Sequence, residues 1–493
     1  MTPVRITVRN STSTAMSNVP VSYSINGGTP VQEIIPTIAA NSQLIYEFTQ
    51  TANFSTPGVY QILATVDMPG DNVPQNNSIQ AVLRQQQVVT AYPYLQDFEQ
   101  DAGGFVTGGI RSSWAWGQPA SRTITKAASG TKAWKTNLTG DYNNTELSYL
   151  YSPCFDLSSL AQPALSFAVA YDLEDCTPFN ALCDAAWVEY SYDRVNWQKL
   201  GASGQGTNWY DQPTYQVFTK KYQDWWHVAT IGLPKQPGLL SFRFVMQSDL
   251  LTARQGIAID DIHVYDNATP MYAEVGNSNA ISLSVTGNTW VPFADGGKLL
   301  AAVNAQGNNL GNTLAKLYKH GGPLRTLPAR YVANRNWVVQ ASLPLTDPPA
   351  KLRLYFTDEE VNELRTAAPC PLCQVPKDYT MLGVVRYSDA NTSNEDGSLD
   401  NNTQGFYQSM DEQDLRFVPY DKGYYVELPT EGFSEYWLTT GGSDIALPAR
   451  WLSFDAKAVP GTSQVVLQWQ TAEEKGVRKY EVESMVPADN GFV

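Results

Sequence analysis

Hydrophobic and polar residues alternate with a period of two along most of this chain, as they do in strands that bury one face. Over residues 1–90 the runs VRITVRN, VPVSYSINGG, SQLIYEFTQ, GVYQILATVD and SIQAVLRQ are parted by Asn, Gly, Pro and Ser. NGG is a strong hairpin signal, and short strands with frequent turns predict a small antiparallel sandwich. Residues 91–266 repeat the pattern in PALSFAVAYDLE, AAWVEYSYDRVNWQKLG, LLSFRFVMQSD and GIAIDDIHVYD; Ala186, Val188, Tyr190 and Tyr192 fall on one face of their strand. A third β-rich region, 267–446, carries ISLSVTGNTWVPFAD, RYVANRNWVVQAS and AKLRLYFTDEEVNELRTAA. Its helical signal lies near residues 357–367: Thr357 and Glu360 make a capping box, and Val361 and Leu364 share one apolar face. The expected fold class is all-β, with tandem β-sandwich domains and one short helix.

GIAIDDIHVYD breaks its own alternation. Ile257 and Ile259 are odd-numbered, Ile262 and Val264 even-numbered, so a regular strand would set the pairs on opposite faces. An extra residue at Asp260–Asp261 would return all of them to the core, which is what a β-bulge does. A bulge takes carbonyls out of the ladder and turns carboxylates toward one spot. Buried charges are costly unless paired, hydrogen-bonded or bound to a metal, and calcium takes roughly six to eight such oxygens. The plainer alternative is a pair of exposed bulge residues making hydrogen bonds.

Aromatic residues make up 12 % of the chain and charged residues 16 %, a mix that favours strands and turns over helices. The net charge of −15 repels phosphate backbones, which argues against nucleic acid as a partner; an acidic surface suits calcium and secretion. No run approaches the roughly 20 apolar residues of a membrane span. The opening MTPVRITVRN reads as a strand and lacks the apolar core of a signal peptide, so the chain is either cytosolic or already processed. Cys176 and Cys183 bracket the turn-rich CTPFNALC, where a disulfide would close a short loop worth about 2.5 kcal/mol. Cys370 and Cys373 in PCPLCQVP have the spacing of half a zinc site with no second half, so a local disulfide or two free thiols is expected. Oxidised pairs would place the chain outside the cytoplasm.

Family resemblances run along the whole chain. VRNSTSTAMSNVPVSYSINGG, FSTPGVYQILATVDMPGD and NVPQNNS, within 1–90, resemble a CARDB-type immunoglobulin-like domain. In 91–266 the ordered set DFE, SGTKAW, SPCFDLS, VEYSYD and GIAIDDI resembles the MAM-like jelly-roll domain of cell-surface proteins. NRNWVV, LRLYFTDEEVNEL and GFSEYWL, in 267–446, resemble a β-sandwich region of surface proteins that Bacteroidota export by type IX secretion. Residues 447–493 look like the first half of the fibronectin type III-like domain that such proteins carry, so the chain reads as a fragment. The resemblance implies a secreted or outer-cell-surface location and contact with export machinery. It also implies calcium ligands: Asp97 and Glu99 of DFE, a carbonyl around Thr131 of SGTKAW, and Asp260 with Asp261.

No HExxH, GxSxG, Walker or GxGxxG motif is present. His263 and Asp261 would share one side of a regular strand and could make a dyad, but no nucleophile can be assigned to it; a strand histidine is the plainer reading. Most rings of SSWAWGQP and DWWHV are expected in cores. Trp209 and Tyr210, in a loop rich in Gly, Asn and Pro, are the expected surface pair for stacking on a sugar. The expected function is non-catalytic: an adhesion, binding and spacer region with a structural calcium ion and a glycan or protein ligand. The alternative is the accessory C-terminal region of a secreted hydrolase, a peptidase first of all, whose catalytic domain lies outside this chain.

Overall fold

The computed structural model describes residues 2–441, 451–458 and 465–471, apart from 57, 72, 180, 328–329 and 369–374. The chain divides into two compact units, residues 1–270 with the turn 418–423, and residues 271–417 with 424–493. Among the described residues, no helix is long and apolar enough to cross a membrane.

The first unit begins with a small sandwich. Arg5–Asn10 pairs antiparallel with Ser42–Glu47, and a second sheet runs in the order Val31–Ile38, Met16–Ile25, Gly58–Val66, Ser78–Gln85. Val8, Val19, Val21, Tyr23, Ile35 and Phe48 fill its core. The NGG signal forms its hairpin turn: Asn26 and Gly27 take φ of 50° and 69°, and Gly28 N donates to Ile25 O at 2.9 Å. Two successive positive φ values are the demand of a type I′ turn, met here by the two residue types that tolerate them.

Within the same unit a second, separate core is enclosed by two six-stranded sheets. One runs Trp114–Gly117, Ala133–Thr136, Gly256–Asp266, Pro163–Asp172, Gln223–Gly232, with Tyr94–Gln96 added beside Gly256–Asp266. The other runs Gln198–Lys199, Ala185–Ser191, Leu240–Gln247, Leu147–Phe155, Val88–Val89, with Val106–Ile110 beside Leu147–Phe155. Phe167, Val169, Phe242, Phe244, Ile257 and Ile259 pack between them, each such side chain worth about 1.5–3 kcal/mol of burial. PALSFAVAYD is buried at every position, which explains why it reads as a nearly unbroken apolar run.

The second unit is also β-sheet. A seven-stranded sheet runs Ile281–Thr286, Asn309–Lys319, Arg330–Ala341, Glu435–Thr439, Gly383–Ser388, Phe406–Ser409, with Arg325–Leu327 beside Arg330–Ala341. Trp290–Asp295, Lys298–Asn304 and Ala350–Thr357 belong to a further sheet. The one α-helix among the described residues, Asp358–Arg365, starts at its capping box. Thr357 Oγ1 accepts from Glu360 N at 3.3 Å, Glu360 Oε2 accepts from Thr357 N at 2.9 Å, and Val361 and Leu364 are buried. In the stretch expected to open a fibronectin-like domain, Trp451–Ala458 pairs antiparallel with Val465–Thr471. The remainder of 447–493 lies outside the described residues.

Candidate functional site

The closing strand is bulged where its parity switches. Ser166 pairs with His263 and Ala168 with Asp260, so the closing strand holds one residue more than its partner between those pairs. Asp261 takes φ of 47°, a left-handed conformation that aspartate tolerates. Ile257, Ile259, Ile262 and Val264 consequently all enter one core. His263 also lies on this strand, with Nδ1 3.0 Å from Pro419 O and its ring 4.4 Å from that of Tyr265.

Both bulge carboxylates are fully buried. Asp260 Oδ2 accepts from Ala128 N and Ser129 N at 2.9 and 3.1 Å, and its Oδ1 from Asp261 N at 2.8 Å. Asp261 Oδ1 accepts from Ser129 Oγ at 2.8 Å. Glu99 grips the far end of the same turn: its Oε1 accepts from Thr131 N and Lys132 N at 2.9 and 2.7 Å, its Oε2 from Thr131 Oγ1 at 3.0 Å. Gly130 lets the carboxylate lie flat on the backbone, since a Cβ there would fall 2.2 Å from Glu99 Cδ. Asp97 Oδ1 in turn accepts from Glu99 N at 3.3 Å. Glu99, Asp260 and Asp261 thus converge on one turn, 128–132. Burial, then the charge of Asp261, push the Asp260 carboxyl well above the usual carboxylate range, against the pull of three backbone N–H groups. Two adjacent buried carboxylates call for a proton or a cation; the oxygens of Asp97 and Glu99 do not close on the pair as a compact ligand cluster in this structure.

The aromatic expectation needs correction. Trp209 and Tyr210 are buried, not surface rings: they sit in the core between the two six-stranded sheets at 1 % and 3 % exposure. Trp209 Nε1 donates to Leu200 O at 2.9 Å, and Tyr210 OH lies 2.9 Å from Leu200 O and 3.1 Å from Val188 O. Glycines let their loop fold inward; a Cβ at Gly206 would be 1.9 Å from Thr230 O, and one at Gly201 2.0 Å from Ile231 Cδ1. Cys176 and Cys183 form a disulfide with Cα atoms 5.6 Å apart. Cys154 is a buried free thiol, and Cys370 and Cys373 lie outside the described residues.

A group of half-buried rings lies elsewhere. On the outward side of the sheet, Tyr151 and Glu189 stand opposite Arg243 on its two neighbouring strands. Arg243 holds Glu189 Oε2 through Nε at 2.7 Å and Nη2 at 2.6 Å, and donates from Nη1 to Tyr151 OH at 3.2 Å. Its guanidinium lies 4.0 Å from the Tyr149 ring centre and 4.3 Å from that of Trp197. Trp187 Nε1 donates to Glu189 Oε1 at 2.8 Å, and Lys199 Nζ lies 4.9 Å above the Trp187 ring. All four rings are half-buried. The alternation in AAWVEYS carries the signal, since Trp187 and Glu189 must oppose the core face of Ala186 and Val188.

One further carboxylate grouping and one lone buried carboxylate were not singled out from the sequence. Glu174, Asp184 and Asp249 bring ligand atoms within 4.8 Å of one another beside the disulfide. Asp184 accepts from Tyr142 OH and from Asp249 N, and burial raises its pKa to about 6. In the second unit, Glu435 is fully buried on its strand, and burial pushes it up to about 8.

No known family profile matches the chain. Over 183 residues it is 30 % identical to Bacillopeptidase F of Bacillus subtilis (strain 168), a stretch that is 36 % of this chain. The match spans about 11 % of the length of that protein. Among solved structures, a carbohydrate-binding module of the β-sandwich superfamily is similar at 14 % identity and a TM-score of 0.23, covering 54 % of this chain and 99 % of the module. The K1 cleaved adhesin domain of Lys-gingipain from Porphyromonas gingivalis W83 is similar at 17 % identity and a TM-score of 0.22, covering 36 % of this chain and 99 % of that domain.

Proposed function

We propose that this chain is a non-catalytic adhesion and spacer region of a secreted Bacteroidota surface protein, exported by type IX secretion. Its MAM-like jelly roll takes a glycan on the Arg243 face. The observation that supports this reading is the guanidinium held between Tyr149 and Trp197 and tied to Glu189. A sugar offers an apolar C–H face and a rim of hydroxyls. Half-exposed rings meet the first, and a charged pair fixed in one geometry meets the second at low entropic cost. The test is a glycan array probed with the whole chain. Trp187→Ala and Trp197→Ala are expected to weaken the best signal roughly tenfold or more while the protein stays folded at the assay temperature, as circular dichroism would show. Absence of any signal, or signals indifferent to both substitutions, would overturn the reading.

A second reading is favoured by the stretch shared with Bacillopeptidase F, whose name is that of a peptidase. On it, this chain is an accessory region of a secreted peptidase, and protein, not glycan, is the ligand. A catalytic domain encoded in the same gene would favour that reading.

Calcium belongs to the same proposal. The buried pair Asp260 and Asp261, with Asp97, Glu99 and a carbonyl near Thr131, would hold the ion, which would supply the positive charge that the pair lacks. Its effect would be structural, pinning the 128–132 turn to the closing strand. Because Asp260 also accepts backbone hydrogen bonds, Asp260→Ala destabilises with or without the ion. The discriminating measurement is the dependence of Tm on free calcium, and a Tm unchanged by chelation rejects the ion.

A further inference from the structure

The four-stranded sheet of the small sandwich ends on two edge strands that differ. Val31–Ile38, at one edge, is interrupted by Pro36, and Glu33 ties it to the opposite sheet: its Oε1 accepts from Thr49 N at 2.9 Å and its Oε2 from Tyr46 OH at 2.6 Å. Proline and charge both discourage pairing at an edge. Ser78–Gln85, at the other edge, has no proline, and no charged residue falls between Ser78 and Leu83. Every side chain from Ser78 to Leu83 is exposed, Ile79 at 69 % and Val82 at 58 %. Ile79, Ala81 and Leu83 pair with Ala64, Ile62 and Tyr60, so they share the face that Ala64 turns to the core, yet the two-stranded sheet leaves them uncovered. Val66 N donates to Asn77 O at 2.8 Å. By alternation Ile79, Ala81 and Leu83 bond to Gly58–Val66, while Ser78, Gln80 and Val82 turn N–H and C=O outward. An open, uncharged, apolar edge is a template for a further strand.

We propose that Ser78–Gln85 pairs antiparallel with the same strand of a second copy of this chain, about a two-fold axis at Ala81, joining two four-stranded sheets into one. Two observations name the occupant. The first is self-complementarity. Opposed residues of antiparallel strands share a face, so the axis must pass through a residue. Centred on Ala81, Ile79 of each copy meets Leu83 of the other, and Gln80 meets Val82 with the outward main-chain groups of both free to bond. Centring on Gln80 or Val82 would part the two large apolar side chains. The second observation is charge. The chain carries −15 overall, but residues 1–90 hold three arginines, no lysine and four acidic residues, a net charge of −1. The repulsion that keeps copies of an acidic protein apart is therefore weak at this sandwich. An unlike partner would be selected by charge, and the edge from Ser78 to Leu83 offers none; a second copy needs only the register. The proposal stands whether or not the Arg243 face binds glycans.

The experiment is sedimentation velocity of the whole chain from about 1 to 100 µM, in about 0.15 M salt to screen the remaining charge. A monomer–dimer equilibrium is expected. Val82→Pro removes an outward N–H and keeps the bonds to Gly58–Val66, so it should weaken the dimer roughly tenfold or more while circular dichroism stays unchanged. Ile79→Lys should weaken it as well, by setting a charge against Leu83 of the other copy. Adding Leu83→Glu should restore the dimer, because the two positions meet across the axis in the proposed register; a variant that merely failed to fold would not be rescued. The proposal is overturned by a chain that is monomeric throughout, which leaves the edge to an unlike strand. It is equally overturned by a dimer that survives Val82→Pro, or by a double variant as weak as Ile79→Lys alone.

Discussion

Asp260 in the first unit and Glu360 in the second are both buried and both accept backbone hydrogen bonds, yet they are moved in opposite directions. Glu360 receives Arg335 Nε at 2.8 and 2.9 Å on its two oxygens, and Lys319 Nζ on one of them. Burial works to raise its pKa, but the charges of Arg335 and Lys319 prevail and bring it down to about 2. Asp260 has three backbone N–H donors and a second carboxylate beside it, and burial prevails. Neutral dipoles alone do not offset the desolvation of a carboxylate; full opposite charges do. The charges around Glu360 balance within their own cluster, whereas Asp260 calls for a proton or a cation.

The strongest way to break this contrast is to make Glu360 resemble Asp260. Arg335→Met leaves a buried carboxylate with weaker compensation and is expected to cost the second unit about 3–5 kcal/mol in urea unfolding. Adding Glu360→Gln should recover most of that loss. The depressed pKa also fixes a sign with pH. The stability contributed by Glu360 is fully present above its ordinary 4.5 and is lost as pH falls through about 2. In Arg335→Met the acid limb should move to higher pH.

Asp260→Ala tests the other side of the comparison. It strands three buried N–H groups, those of Ala128, Ser129 and Asp261, and should cost about 3 kcal/mol. A loss below about 1 kcal/mol would mean the turn relaxes and the carboxylate is not what holds it.

How far these sites can be read from sequence depends on how local they are. The bulge announced itself because Ile257, Ile259, Ile262 and Val264 lie within one strand and their parity is visible. The capping box is equally local, with Thr357 and Glu360 three residues apart. Arg335 was not legible as the partner of Glu360, because it arrives from a strand 25 residues earlier. Trp209 misled for a related reason: Gly, Asn and Pro correctly mark a loop, but composition does not say whether a loop folds over the surface or into the sandwich. Tyr149 and Tyr151 follow from alternation as a pair on one face, yet only the sheet order sets Arg243 and Glu189 beside them.

Glu435 sharpens the comparison as an intermediate case, a buried carboxylate hydrogen-bonded to neutral donors with Arg325 nearby. Burial, the largest cause, raises it to about 8 from an ordinary 4.5. A raised value gives stability that is fully present below 4.5 and is lost as pH rises through about 8. Glu435→Gln mimics the protonated form, so it should flatten that slope and stabilise the second unit at pH 8 by at most about 4 kcal/mol, the size to which the shift corresponds. A slope unchanged in the variant would locate the pH dependence elsewhere.

The smallest effect separates a proton from a cation at the bulge. Asparagine tolerates the left-handed backbone of Asp261 and is nearly isosteric with it, so Asp261→Asn removes the charge and leaves the bulge in place. With chelator present, removing the carboxylate beside the buried Asp260 carboxyl should be neutral or stabilise by about 1 kcal/mol. With calcium present the sign should reverse if the ion is held there, because the wild type alone gains ligand-binding stability. Thermal unfolding of both proteins, with chelator and with calcium, therefore yields four melting temperatures whose interaction is the measurement. If the substitution shifts Tm equally in both conditions, Asp261 does not hold calcium, and the pair is held as a carboxyl–carboxylate sharing a proton.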